Sequence, residues 1–217
     1  MYTLPNKRLL SVAKEVRQDA TVADIGTDHA YLPIFLLKTG VARFAYLTDI
    51  NEGPLARAKE NAEAAGLSGS FECILTDGAA ALSGLSVTDF CICGMGGELI
   101  RDIISRAPFL RDKSVHLLLQ PMSREGALRE YLFKEGFSIE KEIYSFDAGK
   151  YYTAFSVKFT GESLALSALD CECGRVGVKI VDTECYRGYL NKKLDAYKRI
   201  INGKREVGLS YSDEEKI

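Results

Sequence analysis

Four short segments of this 217-residue chain combine acids and glycines in an order that suits one kind of ligand. The first is Asp24-Ile25-Gly26-Thr27-Asp28-His29-Ala30. Gly26 carries no Cβ, so the backbone there can come close to a ligand. Asp24 and Asp28 favour a cationic end, such as an amino group. The same acids would repel a pyrophosphate, and the G-x-G-x-x-G spacing of dinucleotide sites is absent. The second segment ends at Asp49, an acid placed to accept from ribose hydroxyls. The third is Asp77-Gly78-Ala79, where the Asp can accept from an adenine amino group. The fourth, Gly94-Met95-Gly96-Gly97, lets a planar group approach the backbone. Each alone is weak, because an Asp after a strand is more often a helix cap and a glycine pair more often a turn. In this order, together, they point to S-adenosylmethionine, which has a charged amino-acid end, a ribose and an adenine.

Such segments need strands that end beside one another. Apolar positions at Leu9, Val12, Ala13 and Val16 predict a helix over 4–18. Strands follow over 21–26, 42–49, 70–75, 88–93 and 114–120, separated by helices over 30–39, 53–65 and 97–106. Gly66 is placed as a C-cap, and Ser123 as the cap of a helix reaching 135. Two more strands, over 138–146 and 151–159, are joined by the turn Asp147-Ala148-Gly149-Lys150. The alternation predicts an α/β fold, Rossmann-like, with a mostly parallel seven-stranded sheet covered on both faces. The four ligand segments fall at the carboxyl ends of its strands, where open sheets bind ligands. The last two strands add an antiparallel edge, as in class I methyltransferases.

Composition narrows the choice further. Lys+Arg is 28 and Asp+Glu 30, so a nucleic-acid site must be a local patch rather than a global charge. Hydrophobic residues are 47%, enough for one core, and no apolar run is long enough to cross a membrane. The N-terminus lacks a signal-peptide pattern, and the six cysteines form no Cys-x-x-Cys pair. A reducing cytoplasm, free thiols and no bound metal are expected. Cys171-Glu172-Cys173 is the one close pair in a polar stretch. Residues 160–177 read as a connector. From about 183 a helical face of Tyr186, Tyr189, Leu190, Leu194, Tyr197, Ile200 and Ile201 appears, with a net charge of +4 over 184–206. That helix is either a solvated surface helix or a phosphate-contacting arm. Residues 212–217 read as a frayed tail.

The segments Ala23–Pro33 and Cys93–Ile100 resemble bacterial tRNA adenine-N1 methyltransferases that act on position 22. Leu118-Leu119-Gln120-Pro121, Arg129-Glu130-Tyr131-Leu132, Lys7-Arg8-Leu9 and Gly53-Pro54 are similar to the same family, and the resemblance spans about 4–160. It implies a class I methyltransferase domain over 1–160 and a helical C-terminal appendage over 161–217 that helps to hold tRNA. In the family this appendage is an antiparallel coiled coil, whereas this chain shows one clear long helix. The expected activity is methyl transfer from S-adenosylmethionine to adenine N1.

The expected cofactor residues are Asp24, Gly26, Thr27, Asp28, His29, Asp49, Ile50, Asn51, Asp77, Gly78, Ala79, Gly94, Met95 and Gly96. By resemblance Asp28 is the expected catalytic residue, stabilising charge on the methylated base; it would alternatively cap the following helix. Expected substrate residues are Arg8, Tyr31, Gly97, Gln120, Pro121, Lys192 and Lys193, with the Gln120 amide reading an adenine edge. Arg101 and Arg124 are further phosphate candidates, and His116 reads as a core residue. A monomer is favoured. Other readings remain: a methyltransferase of another RNA or a small molecule, a non-catalytic RNA-binding module, and, more distantly, a nicotinamide oxidoreductase.

Overall fold

The computed structural model describes residues 3–206. The tail expected over 212–217 lies outside them. The chain runs α1 (Lys7–Ala13), β1 (Ala20–Ile25), α2 (Tyr31–Lys38), β2 (Ala42–Asp49), α3 (Glu52–Ala64), β3 (Phe71–Leu75), β4 (Asp89–Gly96), α4 (Gly97–Ser105) and β5 (His116–Ser123). It continues through α5 (Glu125–Lys134), β6 (Phe137–Asp147), β7 (Lys150–Phe159), α6 (Ala168–Cys173), β8 (Lys179–Val181) and α7 (Thr183–Glu206).

The strands form one sheet in the order β3-β2-β1-β4-β5-β7-β6-β8. The first five in this order pair in parallel. β7 is antiparallel to both β5 and β6. Side chains alternate across the strands. Ala23, Ile25, Phe90, Ile92, Leu117 and Leu119 pack on one face with Ile100 and Ile104 of α4 and Leu128 and Leu132 of α5. Val22, Cys91 and Leu118 face the other side, against Val12 of α1 and Leu32 and Leu36 of α2. A third cluster joins Leu47 to Ile34 of α2 and Ala58 and Ala62 of α3. Both faces are thus covered, as near-continuous apolar strands require.

The sheet has eight strands rather than the expected seven. The eighth, β8, pairs in parallel with β6 at Lys141–Ile143. With three residues it is too short to show a period of two. α6 also lies inside the stretch read as a connector. Its start is a capping box, with Ser167 Oγ bonded to the Asp170 backbone N–H and the Asp170 carboxylate accepting from the Ser167 N–H. α1 is shorter than expected: Asn6 caps its start, accepting from Leu9 N at 2.8 Å, and it ends at Ala13. Ser123 is not a helix cap. It ends β5, paired with Gly96, and Arg124 turns the chain into α5 from a left-handed φ of 58°. Gly66 follows α3 at φ 72°, as expected, and Ala148-Gly149 forms a two-residue hairpin loop with positive φ at both positions.

Candidate active site

The chain changes direction across the sheet between β1 and β4. β2 and β3 lie on one side of β1, while β4 and β5 lie on the other. A cleft opens where these strand ends part. It holds about 300 Å³ and is lined by Asn6, Arg8, Leu9, Asp24, Gly26, Thr27, Asp28, His29, Tyr31, Leu32, Cys93 and Gly94.

The loop after β1 is fixed by its backbone. Gly26 N and Thr27 N both donate to Thr48 O, at 2.8 and 2.9 Å. Gly26 has φ +77°, and a Cβ there would strike the Met95 methyl, so this position needs glycine twice over. Asp28 and Ala30 also have positive φ, at 36° and 56°. This tight winding turns Asp28 and His29 to the cleft rim. Asp28 does not cap α2: the N-cap is Ala30, with no side-chain bond. Instead Arg57 of α3 donates to Asp28 Oδ1 at 2.9 Å, and His29 Nε2 lies 3.4 Å from Oδ2. His29 stacks on Tyr31, with ring centroids 5.2 Å apart and 26° between planes.

Deeper in the cleft, burial pushes the Asp24 carboxyl up to about 6. Thr27 stands beside it, yet its Oγ1 is buried with no well-formed hydrogen bond. Asp24 has no ion-pair partner among the described residues. A buried acid beside a hydroxyl with no well-formed hydrogen bond fits the cationic amino-acid end of S-adenosylmethionine.

The other expected cofactor residues stand at neighbouring strand ends but outside the cleft lining. Asp49 Oδ1 accepts from Asn51 N at 2.8 Å, which shapes the turn into α3, and Ile50 is exposed. Asp77, followed by Gly78 and buried Ala79, is engaged by Arg106, at 2.5 Å to Oδ2 and 3.1 Å to Oδ1. That hydrogen-bonded guanidinium holds the Asp77 carboxyl below its usual value. Met95 lies over Gly26, and Gly96 caps α4.

Among the expected substrate residues, Gln120 differs most from the sequence reading. Its side chain is buried and both ends of its amide are used internally. Oε1 accepts from Arg8 Nη1 and from Gly94 N, while Nε2 donates to Pro121 O at 2.8 Å. It therefore shapes the wall of the cleft instead of presenting a free edge to a base. Gly97 does not face the cleft either: a Cβ there would meet Arg124 O at 2.6 Å. Lys192 is exposed, whereas Lys193 is bound to Glu172 at 2.5 Å. Arg101 pairs with Asp102. His116 is a core residue as expected, bonded to Asp89 and Ser156 at 2.8 Å each. Arg57 and Arg106 were missed, because a lone arginine on an amphipathic helix carries no signal of its partner. Among the described residues no three His, Cys, Asp or Glu side chains are grouped to hold a metal ion, and no helix is long and apolar enough to cross a membrane.

Comparison with known proteins agrees with this geometry. Residues 5–155 match the family described as a methyltransferase domain. The tRNA (adenine(22)-N(1))-methyltransferase of Bacillus subtilis is 30% identical over 169 residues, covering 78% of this chain and 71% of that protein. A Streptococcus pneumoniae structure, described as that of a candidate tRNA (m1A22) methyltransferase in complex with S-adenosyl-L-methionine, is 33% identical, with a TM-score of 0.82 over 99% of this chain and 96% of that one. M. capricolum TrmK, in complex with the cofactor product S-adenosyl-homocysteine, is 26% identical with a TM-score of 0.82, over 99% and 94%. With a parallel sheet, a cleft at its switch point and relatives of this closeness, the chain belongs to the tRNA (adenine(22)-N(1))-methyltransferase family, within the class I methyltransferases.

Proposed function

We propose that this protein transfers a methyl group from S-adenosylmethionine to N1 of the adenine at position 22 of tRNA, acting in the cytoplasm as a monomer. The observation that carries the reading is the cleft itself, with a buried acid beside the Thr27 hydroxyl inside and an acid beside an aromatic pair at its rim. When bound, S-adenosylmethionine supplies a methyl group on a sulfonium, which adenine N1 attacks in line.

The chain's own residues then have distinct tasks. Asp24 and Thr27 hold the cationic amino-acid end. The acid at Asp49 and the Asp77–Ala79 turn stand at the strand ends that would flank the ribose and adenine. Most of the rate gain comes from orientation, since direct transfer needs two partners held in line. The target base must leave its stack to reach the cleft. His29 and Tyr31 offer a stacked platform beside the rim, with Tyr31 40% exposed. Asp28 is held by Arg57 at the same rim, where its carboxylate stabilises the positive charge that the methylated ring acquires. Arg8, fixed by Gln120, and Lys192 supply positive charge for phosphates.

The test uses labelled S-adenosylmethionine with two unmodified tRNA transcripts, one with adenine and one with guanine at position 22. N1-methyladenosine in the first alone is the expected result. Transfer to neither, with the cofactor bound, would sink the reading. Asp28→Ala is expected to slow single-turnover transfer by roughly 100-fold or more, within the range of acid–base and charge-stabilising side chains.

A further inference from the structure

A second recess lies against the cofactor cleft. It holds about 330 Å³ and is built from four elements: the end of β5, Glu125 at the start of α5, the start of β7 and one face of α7. Met122, Tyr151, Tyr152 and Tyr189 supply its apolar and aromatic walls, and Lys150 and Lys192 supply exposed ammonium groups at its edge.

Three observations mark this recess as more than a gap between elements. Tyr189 is only 6% exposed, and its hydroxyl meets the Lys193 ammonium without a well-formed hydrogen bond. A buried hydroxyl so poorly met is uncommon in a folded protein and leaves room for a better-aligned partner. Next, α7 is set unusually close to β7, because a Cβ at Gly188 would collide with the Tyr151 side chain. The glycine lets the Tyr151 ring lie flush against the helix that carries Tyr189 and Lys192. Finally, the recess shares a wall with the cofactor cleft. Gln120 is buried between the two, with Oε1 bonded to Arg8 and Gly94 of the cleft lining and Nε2 bonded to Pro121 O and 3.6 Å from Met122 Sδ of the recess lining. Arg8 in turn lies 6.0 Å over the Tyr152 ring.

Aromatic faces with ammonium groups at their edge are the chemistry of a site for an unstacked nucleotide. Every base has a π-face, so stacking is tolerant of sequence, while lysines meet the phosphates on either side. We propose that this recess binds a tRNA nucleotide neighbouring the target adenine. Its base lies against Tyr151 and Tyr152, its phosphate meets Lys150 and Lys192, and the Tyr189 hydroxyl gains a better-aligned partner than the Lys193 ammonium. A neighbour held here would keep the target base extruded into the adjoining cleft, which deepens the function proposed above and rests on it.

The experiment measures kcat and KM for tRNA, and the dissociation constant of S-adenosylmethionine, in the wild type, Tyr189→Phe and Lys192→Ala. Tyr189→Phe removes one oxygen and keeps the ring. The expected result is a KM for tRNA raised about 3- to 10-fold in each variant, the size of a lost hydrogen bond or phosphate contact. Cofactor affinity should be retained, and the log–log salt slope for tRNA binding should fall by about one in Lys192→Ala. In parallel, tRNA carrying 4-thiouridine beside position 22 is photo-crosslinked to the wild type, and the expected adducts map to the peptides around 150–152 or 189–192. Unchanged KM in Tyr189→Phe with crosslinks elsewhere overturns the proposal. So does an equal loss of kcat and cofactor affinity, which would assign Tyr189 a structural role. Failure of the wild type to methylate any tRNA would instead count against the proposed function, so the two failures are distinguishable.

Discussion

Among the acids of the cleft, Asp24 is the one that burial takes away from its chemistry in water. It is 7% exposed, and desolvation raises its carboxyl from 3.8 to about 6. Because the folded value lies above the unfolded one, the contribution of Asp24 to the stability of the ligand-free fold is fully present below about pH 4 and is lost as the pH rises through 6. The difference amounts to about 3 kcal/mol at neutral pH. Asp24→Asn should therefore stabilise the ligand-free protein by up to that amount at pH 7.5 and have little effect at pH 4. Urea denaturation at the two pH values checks this. The same variant should weaken S-adenosylmethionine binding, measured by calorimetry, because a neutral amide cannot balance the cofactor's amino group. Equal stability changes at both pH values would show that Asp24 is not strained by ionisation. The contrast with Asp28 is instructive. Both acids were legible in one heptapeptide, yet one is buried without an ion-pair partner among the described residues and the other stands at the rim with Arg57. Sequence showed two carboxylates; only the turn of the loop separated their tasks.

The elements that place the site were legible where their period was long enough. β1, β2, β4 and β5 follow apolar runs that the sequence shows directly, and the observed β2 coincides with the expected 42–49. Short elements escaped because their signals are not periodic. β8 has three residues, and α6 has six, although the Ser167-x-x-Asp170 pattern of its capping box stands in the sequence. The junction between β4 and α4 shows what a glycine run hides. Gly94-Met95-Gly96-Gly97 reads as one ligand-facing loop, but its glycines do different things. Gly94 borders the cleft, whereas Gly97 lets α4 close on the β5–α5 turn, with the Ser123 and Arg124 carbonyls at 3.0 and 2.6 Å from where a Cβ would lie. Backbone cannot yield as a side-chain tip can. Gly97→Ala should cost about 1–3 kcal/mol in chemical denaturation, in line with overpacking of a tight contact. A neutral substitution would mean that α4 can slide away from the turn.

At the scale of the molecule, residues beyond 160 are tied to the sheet by a buried ion pair. Arg129 of α5 and Glu142 of β6 are both fully buried, with Nε to Oε1 and Nη2 to Oε2 at 2.9 Å. Arg129 Nη1 also donates to Cys171 O of α6 at 2.7 Å. Tyr144, bonded to Glu142, packs against Tyr186 and Tyr189 of α7. The helix that carries Lys192 is thus positioned from the core of the methyltransferase sheet. Arg129→Met leaves the Glu142 charge buried without its cation and should cost about 3–5 kcal/mol. The double variant Arg129→Met, Glu142→Leu should recover most of that loss, since two apolar side chains leave no charge to desolvate. Equilibrium urea unfolding of both checks the pair. A loss no larger than about 1 kcal/mol in the single variant would mean that water reaches Glu142.

The sequence by itself determined the α/β class, the succession of five strands along the chain and the acid and glycine segments at their ends. These follow from local patterns: alternation, helical spacing and turn residues act over a few positions. It also carried the family resemblance, through motifs that lie within single loops. Tertiary structure alone decided which of those segments share a cleft. Asp24, Asp28, Arg8 and Gly94 meet there, while Asp77 turns to Arg106 and the Gln120 amide is consumed within the wall. It also decided that β5, β7 and α7 enclose a tyrosine-lined recess next to that cleft. Such partnerships join residues tens of positions apart, and side-chain direction and close packing settle them only once the sheet and its helices have assembled.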